Sequence, residues 1–138
     1  MARPLPAPAT GRKVCFSHVV VVGPETAACV AAALAAGRPV PVPGTPETAA
    51  EMLSCGEASA PVLALLLRRG AAAVPVPEDA LAEAPAFLSE YGGPATTPSG
   101  AAGLTGVRHA LADPALARAL ALGPASRVLL LVTEAPPV

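Results

Sequence analysis

The sequence predicts an α/β domain with parallel strands, and three observations carry that expectation. A β-branched apolar run at Phe16–Val22 breaks at Gly23-Pro24 and leads into a helical pattern closed by Gly37. A second run, Ala71–Val76, follows a helical pattern closed by Gly70. A third, Arg127–Val132, ends in Thr133-Glu134, at the carboxyl end where open α/β sheets bind ligands. Strands alternating with helices in this way build a parallel sheet flanked by helices.

The elements follow in order. Residues 1–15 hold Pro4, Pro6 and Pro8 among small residues, too little to bury, and are expected to form a loose arm ahead of a domain at 16–138. Phe16–Val22 reads as a strand buried on both faces, with His18 inside it as a packed core residue. Thr26–Ala36 reads as a helix with Gly37 in the C-terminal cap position. Proline alternates with valine from Pro39 to Pro43, which marks an extended surface segment. A helix is expected at Pro46–Leu53 with Thr45 as its cap, and another at Pro61–Arg69 capped by Ser59. Ala71–Val76 is a strand weakened by Pro75, and the helix from Glu78 to Tyr91 is expected to kink or split at Pro85. The pattern from Ala101 to Leu122 is interrupted by Asp113-Pro114, which reads as a fresh helix start.

Composition narrows the function. The chain has 138 residues, enough for one domain, and its 53% hydrophobic content is mostly alanine. Arg or Pro interrupts every long apolar run, so none reaches the roughly 18 residues of a spanning helix. The first ten residues lack the apolar core of a signal peptide, and a cytoplasmic location is expected. Nine basic and ten acidic residues are scattered along the chain, for a net charge of −1, which leaves no basic patch for nucleic acid or anionic lipid. Aromatics at 2% and the absence of Trp remove stacking platforms and leave the core to Leu, Val and Ala. Cys15, Cys29 and Cys55 fit neither a disulfide framework nor a zinc site, and no other metal-ligating set is present.

One stretch, Thr96 to Gly106, has the composition of a ligand site. Pro98 stops whatever precedes it, Ser99 is a good N-cap, and Gly100 lets a backbone approach closely. Such a turn can hold an anion or a ring nitrogen, and it can equally be an ordinary capped helix. His18 and His109, in a strand and on a helix, form no Ser/His/Asp, Cys/His or paired-carboxylate arrangement.

The order of segments resembles a known family. Val19-Val20-Val21-Val22-Gly23-Pro24-Glu25, then Thr48 to Glu57, then Pro98-Ser99-Gly100-Ala101-Ala102-Gly103, then Ser126 to Glu134 look like the C-terminal part of the fold-type II (tryptophan synthase β-like) pyridoxal-phosphate enzymes. Within that group the run is most similar to diaminopropionate ammonia-lyases and their serine/threonine dehydratase relatives. The fold this implies is a partial parallel sheet with flanking helices. The resemblance also implies pyridoxal phosphate as cofactor, with Ser99 meeting its pyridine nitrogen and Gly100 beside it. A neutral hydroxyl there does not hold the ring nitrogen protonated, which suits elimination at the β-carbon better than transamination.

The chain departs from the family pattern at several points. The family's Schiff-base lysine and glycine-rich phosphate loop lie upstream of the matched region, whereas the single lysine here is Lys13, in the proline-rich arm. Gly23 stands where an acidic residue is usual, and Ala135 where the family has glycine. The resemblance therefore implies no catalytic residue on this chain, and a split subunit or C-terminal fragment that requires a lysine-bearing partner chain. A non-catalytic remnant serving binding or assembly is the alternative, and a small enzyme of unrelated chemistry a weaker third. Apolar surface left by a missing half predicts self-association. The matched segments that carry Cys29 and Cys55 could approach each other, either as a disulfide or as two free thiols in a reducing compartment.

Overall fold

A computed structural model describes residues 18–43 and 47–136. The arm at 1–15, with Lys13 and Cys15, lies outside the described residues, as do Phe16, Thr45 and Pro46. Two strands, β1 (Val20–Pro24) and β2 (Ala72–Val76), pair in parallel, with Val20 opposite Ala72 and Pro24 opposite Val76. Between them run α1 (Cys29–Ala36) and α2 (Ala60–Arg68); after them come α3 (Glu78–Glu90), α4 (Pro98–Ala112) and α5 (Pro114–Ala119). This is a mixed α/β fold with a small parallel sheet flanked by helices, as the alternation of patterns predicts.

The caps follow from the chemistry of single residues. Gly37, at φ 67°, closes α1 in the left-handed conformation that costs glycine nothing. Asp113 starts α5 by accepting from the amides of Ala115 and Leu116, and Pro114 takes the first helical position. Pro75 interrupts nothing in β2. The Ala72 amide points to β1, where it donates to the Val19 carbonyl, so by strand alternation the nitrogen of residue 75 faces away from the partner strand.

Five expectations require correction. β1 begins at Val20, and His18 lies ahead of it, exposed, because the pairing runs out where Gly70 and Ala71 turn the partner strand away. The helix expected from Thr26 is a 3-10 turn at Glu25–Ala27 followed by α1. In place of a helix ending at Leu53 there is one 3-10 turn, Glu51–Leu53. Side chains there compete for the backbone amides: Glu78 takes the Ala49 N–H, and Thr48 Oγ1 takes the Ala50 N–H. α3 runs unbroken through Pro85, held along α4 by buried Leu81 and Ala84 and by Arg108, whose guanidinium sits 3.9 Å over the Phe87 ring. Finally, Arg127–Val132 is not a strand, since a strand exists by pairing and no neighbour runs beside it among the described residues.

The core consists of small and branched aliphatics. Val74, Val76, Leu81, Ala102, Ala110 and Leu120 form its main cluster, and Ala33, Ala58 and Leu63 a second one between α1 and α2. α4 is the central element, lying against both strands, α3, α5 and the 3-10 turn at Glu51. Its approach to β1 is set by Gly106, where a β-carbon would overlap Val22 Cγ2 and stand 2.9 Å from Cγ1.

Glu78, at the start of α3, ties three segments together. Its carboxylate accepts from Thr26 Oγ1 at 2.5 Å, Thr48 Oγ1 at 2.9 Å and the Ala49 amide at 2.9 Å. Burial pushes its proton affinity up, but these donors outweigh burial and hold the carboxyl below its usual range. A carboxylate depressed in the folded state stabilises above its unfolded pKa, near 4.3, and that contribution is lost as pH falls through the folded value. Urea denaturation between pH 6 and pH 3 should therefore show a stability loss below about pH 4 that Glu78→Gln removes. Its size should stay under about 1 kcal/mol, because the site is largely solvated.

Candidate functional site

The turn into α4 is built from Thr96, Thr97, Pro98 and Ser99. Pro98 occupies the first helical position, so the residue before it is the cap. Thr97, not Ser99, fills that role: its Oγ1 accepts from the Gly100 amide at 3.2 Å. The same hydroxyl donates to Glu134 Oε2, and Thr96 Oγ1 donates to the Glu134 carbonyl at 2.7 Å. Glu134 thus fixes both threonines.

Ser99, released from capping, does something else. Its Oγ accepts from the Met52 amide at 3.2 Å, joining the α4 start to the 3-10 turn at Glu51–Leu53. A hydroxyl has one donor and two lone pairs, so accepting from Met52 leaves its O–H free to donate. Ser99 lines a cleft of about 230 Å³ together with Ala49, Glu51, Met52, Thr97 and Glu134. The cleft therefore carries a directed neutral hydroxyl and two carboxylates, and no cation among its lining residues.

Gly100 sits beneath Ser99, buried, with its amide already used by Thr97. A β-carbon there would overlap Thr96 Oγ1 and stand 3.3 Å from Glu134 Cβ, so only glycine allows α4, Thr96 and the 134 position to meet. Thr97→Val, which removes both hydrogen bonds of the cap, should cost about 1–2 kcal/mol in urea denaturation.

A second cavity, of about 130 Å³, lies among β1, β2 and the start of α1. Cys29 and Cys55 are both on its wall, and both are free thiols, Cys29 buried and Cys55 exposed. Burial pushes the Cys29 thiol up, and the neighbouring Cys55 adds to the effect. Gly23, on the same wall, has open space around it. His109 lies half-buried on α4, away from this wall and from the Ser99 cleft. Among the described residues no group of three His, Cys, Asp or Glu side chains could hold a metal, and no helix is long and apolar enough to cross a membrane.

Ser99 and Gly100, the two residues singled out in the sequence, are consecutive and lie in the first turn of α4. Sequence reasoning missed Thr97 as the cap, although Pro98 in the first helical position signals it, and it missed Glu134 as the anchor of that turn. The Thr97–Glu134 bond joins residues 37 positions apart, and nothing local in the sequence announces it.

Two of the solved structures with a similar fold are enzymes acting on hydroxyamino acids by name. A threonine deaminase from T.th. superposes with a TM-score of 0.64 at 28% identity over 69% of this chain and 32% of that one. An L-serine ammonia-lyase from the fungus Rhizomucor miehei superposes with a TM-score of 0.70 at 24% identity, over 86% of this chain and 36% of that one. The chain thus spans about a third of the length of each. No curated protein sequence matches it. The family model for pyridoxal-phosphate dependent enzymes matches residues 6–134, nearly the whole chain, and this protein belongs to that family.

Proposed function

We propose that this chain forms the ring-nitrogen wall of a pyridoxal-phosphate-dependent ammonia-lyase. The reaction would be α,β-elimination on a small amino acid bearing a β-hydroxyl or β-amino group, such as 2,3-diaminopropionate. The observation that carries the reading is the Ser99 hydroxyl, whose acceptor side is engaged by the Met52 amide and whose O–H is left to donate into the cleft. That polarity fits an unprotonated pyridine nitrogen. Pyridoxal phosphate, when bound, supplies the electron sink for the pair released from the substrate's α C–H bond. Ser99 would orient the ring without fixing a proton on it, the Met52 amide holds the Ser99 hydroxyl, Thr97 and Glu134 fix the turn that carries it, and Gly100 permits the close approach of Thr96 and Glu134.

The single lysine of the sequence, Lys13, stands outside any pattern resembling the family's lysine motif. Turnover would then depend on a lysine supplied from outside residues 1–138. A second reading is a remnant that keeps the fold without the ligand, and titration with and without a lysine-bearing N-terminal half separates the two.

Calorimetric titration of the purified chain with pyridoxal phosphate should show saturable binding, weakened about tenfold by Ser99→Ala, the value of one lost hydrogen bond. Ser99→Asp should bind the ligand with its ring nitrogen protonated to higher pH, visible in the absorbance spectrum. Absence of binding even when a lysine-bearing N-terminal half of the family's fold is added supports the remnant, and equal affinity for Ser99→Ala removes Ser99 from the site.

A further inference from the structure

Residues 47–53 read as helix in the sequence, since every one of them but Thr48 is a good helix former. Only Glu51–Leu53 turn, and they make a single 3-10 turn. The amides that an α-helix would use find side-chain acceptors instead. Ala49 N–H donates to Glu78 Oε2 at 2.9 Å, Ala50 N–H to Thr48 Oγ1 at 3.0 Å, and Met52 N–H to Ser99 Oγ at 3.2 Å. Thr48 Oγ1 in turn donates to Glu78 Oε2 at 2.9 Å. The segment is thus hung between Glu78 at the start of α3 and Ser99 at the start of α4.

The local alternative would undo the Ser99 contact. Were the segment to close into an α-helix, the Met52 N–H would go to the Thr48 carbonyl four residues back, and Ser99 Oγ would lose its donor. A hydroxyl without that donor can accept as well as donate, so its polarity toward the cleft is no longer set. Glu78 decides between the two arrangements. Its charged oxygens accept more strongly than a neutral carbonyl does, and its seat in the first turn of α3 suits a negative charge. A helix as short as 47–53 is marginal on its own.

We infer that Glu78 is a positioning residue for Ser99: by drawing 48–50 out of helix it leaves the Met52 amide to Ser99 and so turns the Ser99 hydroxyl into a donor facing the cleft. Glu78 itself does not line that cleft, and it acts through the backbone of 48–52. The inference takes its meaning from the proposed reading of Ser99, but the Met52–Ser99 bond can be followed with no ligand present.

Solution NMR of the isotope-labelled full chain is the test. Ser99→Ala should shift the Met52 amide resonance, because it removes that amide's acceptor. In a Glu78→Ala chain the Cα resonances of residues 49–52 should move to helical values, and Ser99→Ala should then leave the Met52 amide where it was. Glu78→Gln is the conservative rescue: its amide oxygen can accept from Thr48 and Ala49 while its amino group donates to Thr26, so the Met52 response should return. Thr26→Val removes the bond to the other Glu78 oxygen and should change nothing at Met52, whereas a general loosening of the fold would show there too. If circular dichroism finds Glu78→Ala unfolded, Thr48→Ala takes its place, since it removes the acceptor of the Ala50 amide and should diminish the same response. An undiminished Met52 response in whichever of these chains is read overturns the inference, and so does an equal loss in Thr26→Val.

Calorimetric titration carries it to the ligand. Glu78→Ala should weaken pyridoxal-phosphate binding by up to about tenfold, and adding Ser99→Ala should cost no more than about twofold further. A full additional loss of about tenfold would make the two residues independent and overturn the inference. Absence of binding to the unaltered chain, with the lysine-bearing N-terminal half added, sinks the proposed function alone and leaves the Met52 resonance to decide the role of Glu78.

Discussion

Replacing Gly106 with alanine is expected to destabilise the domain by about 1–2 kcal/mol. Alanine is the better helix former by about 1 kcal/mol, so α4 taken alone would gain. Against that gain stands a methyl group that would overlap Val22 Cγ2, with Val22 Cγ1 at 2.9 Å and Cβ at 3.1 Å. Both elements are packed on other sides, α4 by α3 and α5 and β1 by β2, so relief requires displacing a whole element, and overpacking of this kind costs about 1–3 kcal/mol. Two companions make the measurement specific. Gly103→Ala, in the same helix but 3.4 Å from Leu130 Cδ2, an ordinary contact, should stabilise by about 0.5–1 kcal/mol. Gly106→Ala combined with Val22→Ala should recover part of the loss. Urea denaturation of the four proteins settles the matter, and a Gly106→Ala chain as stable as the original would show that β1 and α4 can part.

Gly100→Ala is expected to act on the site as well as on stability. The new methyl group must displace the Thr96 hydroxyl, which donates to the Glu134 carbonyl at 2.7 Å. With that bond broken, the segment ahead of Glu134 loses one of its two anchors to α4, the other being the Thr97–Glu134 bond. A loss of about 1–3 kcal/mol follows from overpacking plus a partly buried acceptor that loses its donor. Pyridoxal-phosphate binding, if it occurs at Ser99, should fall in parallel, because Glu134 and Thr97 both line the cleft. Removing the obstructing hydroxyl tests the cause: in a Thr96→Ala background, Gly100→Ala should cost less than it does alone, a coupling measurable by a double-mutant cycle.

What the sequence made legible was local in origin. Gly37 and Gly70 end helices, Asp113-Pro114 starts one, and the β-branched run before Gly23 is a strand, because each signal is written in adjacent residues. The errors share the opposite property. Whether Arg127–Val132 becomes a strand depends on a neighbour, and whether 49–53 becomes a helix depends on Glu78 reaching across from α3 to claim its amides. Pro85 is tolerated because α3 is clamped to α4, which local propensity cannot register. At the site itself, Ser99 was recognisable by type and by resemblance, but its partner is a backbone amide 47 positions away. Pro98 decides between Ser99 and Thr97: its fixed backbone angle suits the first helical position, which makes the preceding Thr97 the cap.

The contact between Gly106 and Val22 has a consequence for how this chain can vary over time. Ser99 and Gly106 lie on one rigid helix about 10 Å apart, so the depth to which α4 sinks onto β1 also sets where the Ser99 hydroxyl stands. Drift at position 22 toward a smaller side chain would permit a larger one at 106, while either change alone would tilt the helix and move the hydroxyl with it. Among descendants of this sequence the two positions should covary, and suppressors of a damaged Ser99 turn should arise in β1, in residues that never touch the cleft.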